Sequence, residues 1–196
     1  MLFEEEKTYH IYNRSNEVVF YNRSNYIYFL KKVNRLIRPY ADILAWCLMP
    51  NHFHFLIVVN AKGSQRISEL HRPQVQQLSK NLGSLLSSYT RAINKEQQRR
   101  GKLFAHNTKA KCLNDITQND NILDNCFHYI HQNPVRSGLC ENLLDWEFCS
   151  VLDYADKRNG KLVNKQLAYE TIHIDTDNFL TQSNILLDER LLKDIF

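Results

Sequence analysis

The sequence predicts an α+β fold, an antiparallel sheet with helices packed on it. Three observations lead there. Residues 49–59, Met-Pro-Asn-His-Phe-His-Phe-Leu-Ile-Val-Val, hold a short apolar, β-branched run bounded by Pro50 and Asn60, as a buried strand would be. Residues 41–49 are also apolar, and Pro50-Asn51 suits a turn, so 41–59 reads as a hairpin. Stretches with helical spacing alternate with these strand signals. The resulting order, β-α-β-β-α-β-α, makes a ferredoxin-like arrangement the natural candidate.

Each element has its own signal. Tyr9 to Arg14 alternates and reads as the first strand. Asn25 to Arg38 places Ile27, Leu30, Val33 or Asn34, and Ile37 on one helical stripe, with Pro39 beyond it. Residues 66–99 read as two helices, with Pro73 early and Gly83 a weak point. Residues 101–113 read as a strand or extended loop. Residues 118–133 read as a helix ended by Pro134, and Trp146 to Ala155 as a helix or packed tail. The remainder is rich in Asp and Asn and weakly periodic. No repeat or low-complexity tract occurs. The natural division is a domain over residues 1–155 and an acidic C-terminal extension over 156–196.

The bulk numbers agree. The chain has 196 residues, 43% hydrophobic and 23% charged, ordinary values for a globular protein. No run approaches the ~20 apolar residues of a membrane span, and the acidic N-terminus lacks a signal peptide's apolar segment. The cysteines, Cys47, Cys112, Cys126, Cys140 and Cys149, are odd in number and form no Cys-x-x-Cys. A cytoplasmic protein with reduced thiols and no membrane partner is expected. The net charge of +4 is uneven. Residues 1–140 carry 19 Lys and Arg against 10 Asp and Glu, whereas residues 141–196 carry 6 against 11. Residues 91–111 are densest: Arg91, Lys95, Arg99, Arg100, Lys102, Lys109 and Lys111 face only Glu96. That clustering suits a polyanion such as nucleic acid and equally suits a solvated helix end and loop.

Two segments carry chemistry. In a strand, His52 and His54 point to one face, Phe53 and Phe55 to the other. Two neutral imidazoles side by side make half of a metal site; the same pattern also fits strand histidines with no ligand. In Tyr129-Ile130-His131-Gln132-Asn133-Pro134, the helical spacing puts Tyr129 and Asn133 on one face, with Asn133 near the helix end because a proline follows. A phenol and an amide oxygen then share a surface. The bland alternative is a half-buried tyrosine above a helix-ending Asn-Pro. His10, His128 and His131 show no pattern of their own.

Taken together, Met49-Pro50-Asn51-His52-Phe53-His54-Phe55-Leu56-Ile57 and, some seventy residues on, Tyr129-Ile130-His131-Gln132-Asn133-Pro134-Val135-Arg136-Ser137-Gly138 resemble the single-tyrosine transposases of the HUH nuclease superfamily, in particular the REP-associated tyrosine transposases. Tyr9 to Arg14, Trp146, Ser150 and Tyr154 are similar to that family as well. The resemblance spans about residues 8–155. It implies that His52 and His54 are the His-hydrophobic-His pair that holds Mg2+ or Mn2+, and that Tyr129 is the nucleophile. Asn133 falls where the family places a third polar ligand, often a Gln. The implied activity is metal-dependent cleavage and strand transfer of single-stranded or hairpin DNA through a 5′-phosphotyrosine. Arg14, Arg99, Arg100, Lys102, Lys109, Lys111 and Arg136 become candidates for DNA phosphate contacts, each also readable as surface charge. A homodimer is compatible with the wider superfamily.

The chemistry needs such parts. A free tyrosine, with a pKa near ~10, is a poor nucleophile at neutral pH, and a cation beside the phosphate polarises it and orients the strand. Other readings stay open. A related nuclease of replication or relaxase type shares the histidine pair, although the chain has no Gly-x-x-x-x-Gly-Lys-Ser/Thr loop for a helicase. A non-catalytic DNA-binding derivative would keep the fold. A structural zinc site drawing on Cys47 or Cys112 matches no zinc spacing.

Overall fold

A computed structural model describes residues 1–69, 72–104, 107–116 and 121–196. Its centre is a four-stranded sheet of β1 (Thr8–Arg14), β2 (Ala41–Met49), β3 (His52–Val59) and, later in the chain, β6 (Lys109–Cys112). The order across the sheet is β2-β3-β1-β6, and every neighbouring pair is antiparallel. β1 and β2 therefore run parallel with β3 between them, joined by α1 (Arg23–Leu36), which is the split βαβ unit of a ferredoxin-like fold. The α+β class and the antiparallel sheet are as predicted.

Strand alternation divides the core in two. Tyr9, Ile11, Phe53, Phe55, Ile57, Trp46 and Leu48 belong to a cluster with Phe29 and Val33 of α1 and Leu82, Leu85 and Tyr89 of the long helix α3 (Gln77–Glu96). Leu44, Ala45, Cys47, Met49 and Leu56 join a second cluster with Cys126, Phe127 and Ile130 of α4 (Ile122–Arg136). A bulge between Ile43 and Ala45 lets Leu44 and Ala45 both join the second cluster. α1 takes its first turn from Asn22, whose side chain accepts from the Asn25 N–H.

The region 66–99 differs from the expectation of two helices. After the short α2 (Ala61–Ser64) it opens with an antiparallel ribbon, β4 (Arg66–Glu69) and β5 (Arg72–Gln76), and only then enters α3 as one helix. Ile67 pairs with Val75 across the ribbon. A proline lacks the N–H that a helix interior requires, so Pro73 belongs with a two-stranded ribbon. Gly83 does not break α3. The parts of these expectations at residues 70–71, 105–106 and 118–120 lie outside the described residues.

Pro134 is also a correction. It does not end the helix; α4 runs through it to Arg136. In the last turn a proline removes one internal hydrogen bond, and the chain closes beyond it with Ser137 N–H donating to Asn133 O and Leu139 N–H to Pro134 O, at 3.0 and 2.9 Å. Gly138, with φ of 70°, makes the left-handed step that ends the helix.

Residues 143–196 cover the free edge of β2 and the back of α4. Trp146 Nε1–H donates to Leu48 O, Leu48 N–H to Phe148 O and Ser150 N–H to Trp46 O, while Trp46 N–H donates to Ser150 Oγ. Tyr154, in α5 (Val151–Tyr154), donates to Leu44 O. An edge strand is thereby paired with backbone and side-chain groups instead of being left open. α6 (Lys165–Thr171), α7 (Phe179–Asn184) and α8 (Glu189–Leu192) follow, and Ala168, Phe179, Leu192 and Ile195 enter the second cluster. The five cysteines are free. Among the described residues no helix is long and apolar enough to cross a membrane.

Ser150 is the knot between this edge and α4, because His131 Nε2 meets its Oγ at 2.7 Å. Ser150→Ala should strand buried polar groups on Trp46 and His131 and cost about 1–3 kcal/mol of stability, read as a lower urea midpoint.

Candidate active site

The second cluster's face of the sheet is apolar at one end and polar at the other. Cross-strand register places Tyr12 opposite His54 and Arg14 opposite His52, so these four side chains share the face that α4 crosses. α4 contributes Tyr129, Asn133 and Arg136, at helical spacing along one side. Together they line a cavity of about 470 Å³, completed by Asn13, Ser137 and Phe196. Among the described residues two arginines and no Asp or Glu line it.

The predicted site residues meet there. The His52 and His54 ring centroids are 5.3 Å apart and nearly perpendicular, and Tyr129 stands edge-on to His54 at 5.6 Å. Asn133 Oδ1 lies 3.1 Å from His52 Nε2, and His52 Nδ1 lies 2.6 Å from Asn51 Oδ1. Both contacts are to amide oxygens, which only accept, and a neutral imidazole has one N–H; with that proton on Nδ1, at the shorter contact, Nε2 presents its lone pair to Asn133 Oδ1. Two acceptors then face each other, and the Asn133 amide nitrogen is buried without a partner among the described residues. A half-turn of that amide would relieve the conflict, and so would a cation between the two. Ligands at ~2.1 Å on adjacent positions of an octahedral ion sit about 3.0 Å apart, so the spacing fits a shared cation.

Burial holds the imidazoles neutral, the form that ligates. It lowers the His54 pKa well below its usual value, with His10 and His52 adding to the effect, and lowers that of His52 against the contact with Asn133. Burial raises the Tyr129 phenol, opposed by Asn133 and Arg136. Among the described residues no three His, Cys, Asp or Glu side chains are arranged to hold a metal ion together, which leaves the zinc alternative without a ligand set.

The predicted cationic residues divide. Arg14 and Arg136 line the cavity. Lys109 and Lys111 pair with Tyr12 and His10 on β6 and so share the cavity's face of the sheet. Arg99 is instead committed to Glu17 at 3.1 Å and to the Tyr21 hydroxyl, while Arg100 and Lys102 lie exposed beyond α3.

Sequence reasoning overlooked three participants. His10, fully buried, places its Nε2 2.9 Å from His54 Nδ1. Phe196 stands perpendicular to Tyr129 at 5.3 Å and lines the cavity. Gln132 straps the following segment to α4, its amide donating to Ser183 O and Ile185 O. The alternation of Tyr9 to Arg14 could have flagged His10, since it shares parity with Tyr12 and Arg14; nothing in 156–196 pointed to the site. His128 and His131 are structural, held by Ser183 and Ser150.

Burial depresses His10 and His128 to about 4 from an unfolded value near 6.5. Between those limits the unfolded chain binds more protons, so stability should fall as pH drops from about 6.5 towards 4. The urea midpoint should be lower at pH 5 than at pH 7.5, and His128→Gln should make that dependence shallower.

No protein-family model and no curated protein matches the chain. Among solved structures it is similar to a REP-associated tyrosine transposase bound to a REP hairpin, with a TM-score of 0.58 and 14% identity over 80% of this chain and 83% of that one. The chain has the fold of that tyrosine transposase.

Proposed function

We propose that the cavity cleaves and rejoins single-stranded DNA, with Tyr129 as the nucleophile, and that the protein is a DNA transposase acting on hairpin or palindromic ends. The observation that carries this reading is one cavity in one chain that joins a tyrosine to two neutral histidines and an amide, under two arginines and, among the described residues, with no Asp or Glu. A pocket with two arginines and no acidic side chain favours an anionic substrate. The solved structure of the same fold holds a DNA hairpin, which supports DNA as the partner.

In the reaction, Tyr129 Oη forms a bond to phosphorus and the bond from phosphorus to the 3′ oxygen breaks. The phenol gives up its proton and the departing oxygen takes one up, leaving a 3′-hydroxyl and a 5′-phosphotyrosine. Attack by another 3′-hydroxyl reverses the step and transfers the strand. His52, His54 and Asn133 would hold Mg2+ or Mn2+, which supplies positive charge beside the scissile phosphate and favours the phenolate that burial disfavours. Two imidazoles and an amide leave coordination positions for phosphate oxygens and water. Arg14 and Arg136 flank the site and are suited to orienting the phosphate. Tyr129 and the histidine pair line one cavity of a single chain, with Tyr129 5.6 Å from His54, so cleavage in cis by a monomer is the favoured mode. Residues 1–155 supply the nucleophile and the ligands.

Wild-type protein with Mn2+ and a hairpin oligonucleotide should give a covalent adduct on a denaturing gel. Tyr129→Phe should abolish the adduct and keep hairpin binding; an adduct in that variant would assign the nucleophile elsewhere. His52→Ala should cut the cleavage rate at least ~100-fold, since removing a ligand or its support costs 10–100-fold or more. Binding without any adduct under any divalent cation would favour a non-catalytic DNA-binding protein. Lys109→Ala should weaken hairpin binding at low salt and flatten its salt dependence by about one phosphate contact.

A further inference from the structure

We propose that His10 and the Ile195 carbonyl form a positioning relay that sets the tautomer of His54, so that the turn at residues 193–195 supports the cation site. The inference rests on reading His52 and His54 as the cation-holding pair.

The argument is one of donors and acceptors. A carbonyl oxygen only accepts, so at 2.9 Å from Ile195 O the proton of His10 resides on Nδ1. A neutral imidazole has one N–H, which leaves His10 Nε2 as an acceptor. Its partner at 2.9 Å is His54 Nδ1, which must therefore donate. The lone pair of His54 then sits on Nε2, a nitrogen with no hydrogen-bond partner among the described residues, on a side chain that lines the cavity. Without an acceptor at Nδ1, the ring would be free to keep its proton on Nε2 and lose its ligand.

The relay is held rigidly. The His10 and His54 rings lie nearly parallel, at 17° with centroids 5.1 Å apart, as an in-plane N–H···N bond requires, and Tyr12 stacks on His10 at 4.8 Å. Ile195 is fully buried in the second cluster, and Lys111, opposite His10 on β6, donates to Phe196 O at 3.4 Å. The acceptor that begins the chain of hydrogen bonds is thus tied to the sheet from two sides. Outer partners of ligating histidines fix the tautomer in this manner, and their loss typically costs 10–100-fold in metal affinity.

Long-range 1H–15N spectra of the metal-free, histidine-labelled full chain read the tautomers directly. Both His10 and His54 should carry the proton on Nδ1. His10→Phe should return His54 to the Nε2–H form and weaken Mn2+ binding, followed by electron paramagnetic resonance, by about 10–100-fold. His10→Gln offers an amide oxygen to His54 Nδ1 and should recover most of that affinity, an outcome that a packing defect would not show. A chain ended after Asp194 should leave His10 a mixture of tautomers and weaken Mn2+ binding. An Nε2–H His54 in the wild type overturns the proposal. So does a folded His10→Phe protein, judged by circular dichroism, with unchanged Mn2+ affinity. If His10→Phe does not fold, the wild-type spectra and the shortened chain decide. A wild type that binds no Mn2+, or binds it and forms no adduct with DNA, counts against the proposed function instead, and the metal-free spectra still decide the relay.

Discussion

The site depends on one constraint, the two-residue period of β3. Because Phe53, Phe55 and Ile57 must face α1 and α3, His52 and His54 are compelled to face α4. A register slip of one residue would bury two imidazoles among aromatics and expose the phenylalanines. The apolar side fixes the register, and the polar side inherits its geometry. The turn at Pro50 and Asn51 reinforces this, since Pro50 O accepts from Val19 and Phe20 N–H and Asn51 O from Ser15 N–H.

Burying that much polarity is costly unless each group is partnered. The structure meets the cost by linking the polar face to elements distant in sequence. His131 reaches Ser150 at the β2 edge, His128 reaches Ser183, and His54 reaches His10 and through it Ile195. Gln132 and Arg136 hold the intervening chain, Arg136 donating to Leu187 O at 2.9 Å. α4 is thus clamped on both flanks, which keeps Tyr129 and Asn133 against the histidine pair. One atom is left over, the Asn133 amide nitrogen, buried with no hydrogen-bond partner among the described residues.

Charge tells a related story. No Asp or Glu of the acidic residues 141–196 is among the described residues that line the cavity. The segment that packs against the site contributes Phe196 and a backbone carbonyl instead of its carboxylates. A pocket arranged in this way can receive a phosphodiester without meeting an acidic side chain.

Much of this was legible in the chain itself. Strand alternation and helical spacing are local, so β1, β2, β3 and α1 follow from their own residues, as do the shared faces of His52 with His54 and of Tyr129 with Asn133. The ribbon at 66–76 was misread because a short polar strand and the first turns of a helix look alike without a cross-strand partner such as the Ile67–Val75 pair. Pro134 was misread because its effect depends on whether the helix has further turns to lose. The meeting of strand and helix, the commitment of Arg99 to Glu17, and the places of His10, Ile195 and Phe196 were decided only by tertiary structure. Each is a contact between residues tens to hundreds of positions apart, and no local period encodes which buried imidazole will find which carbonyl.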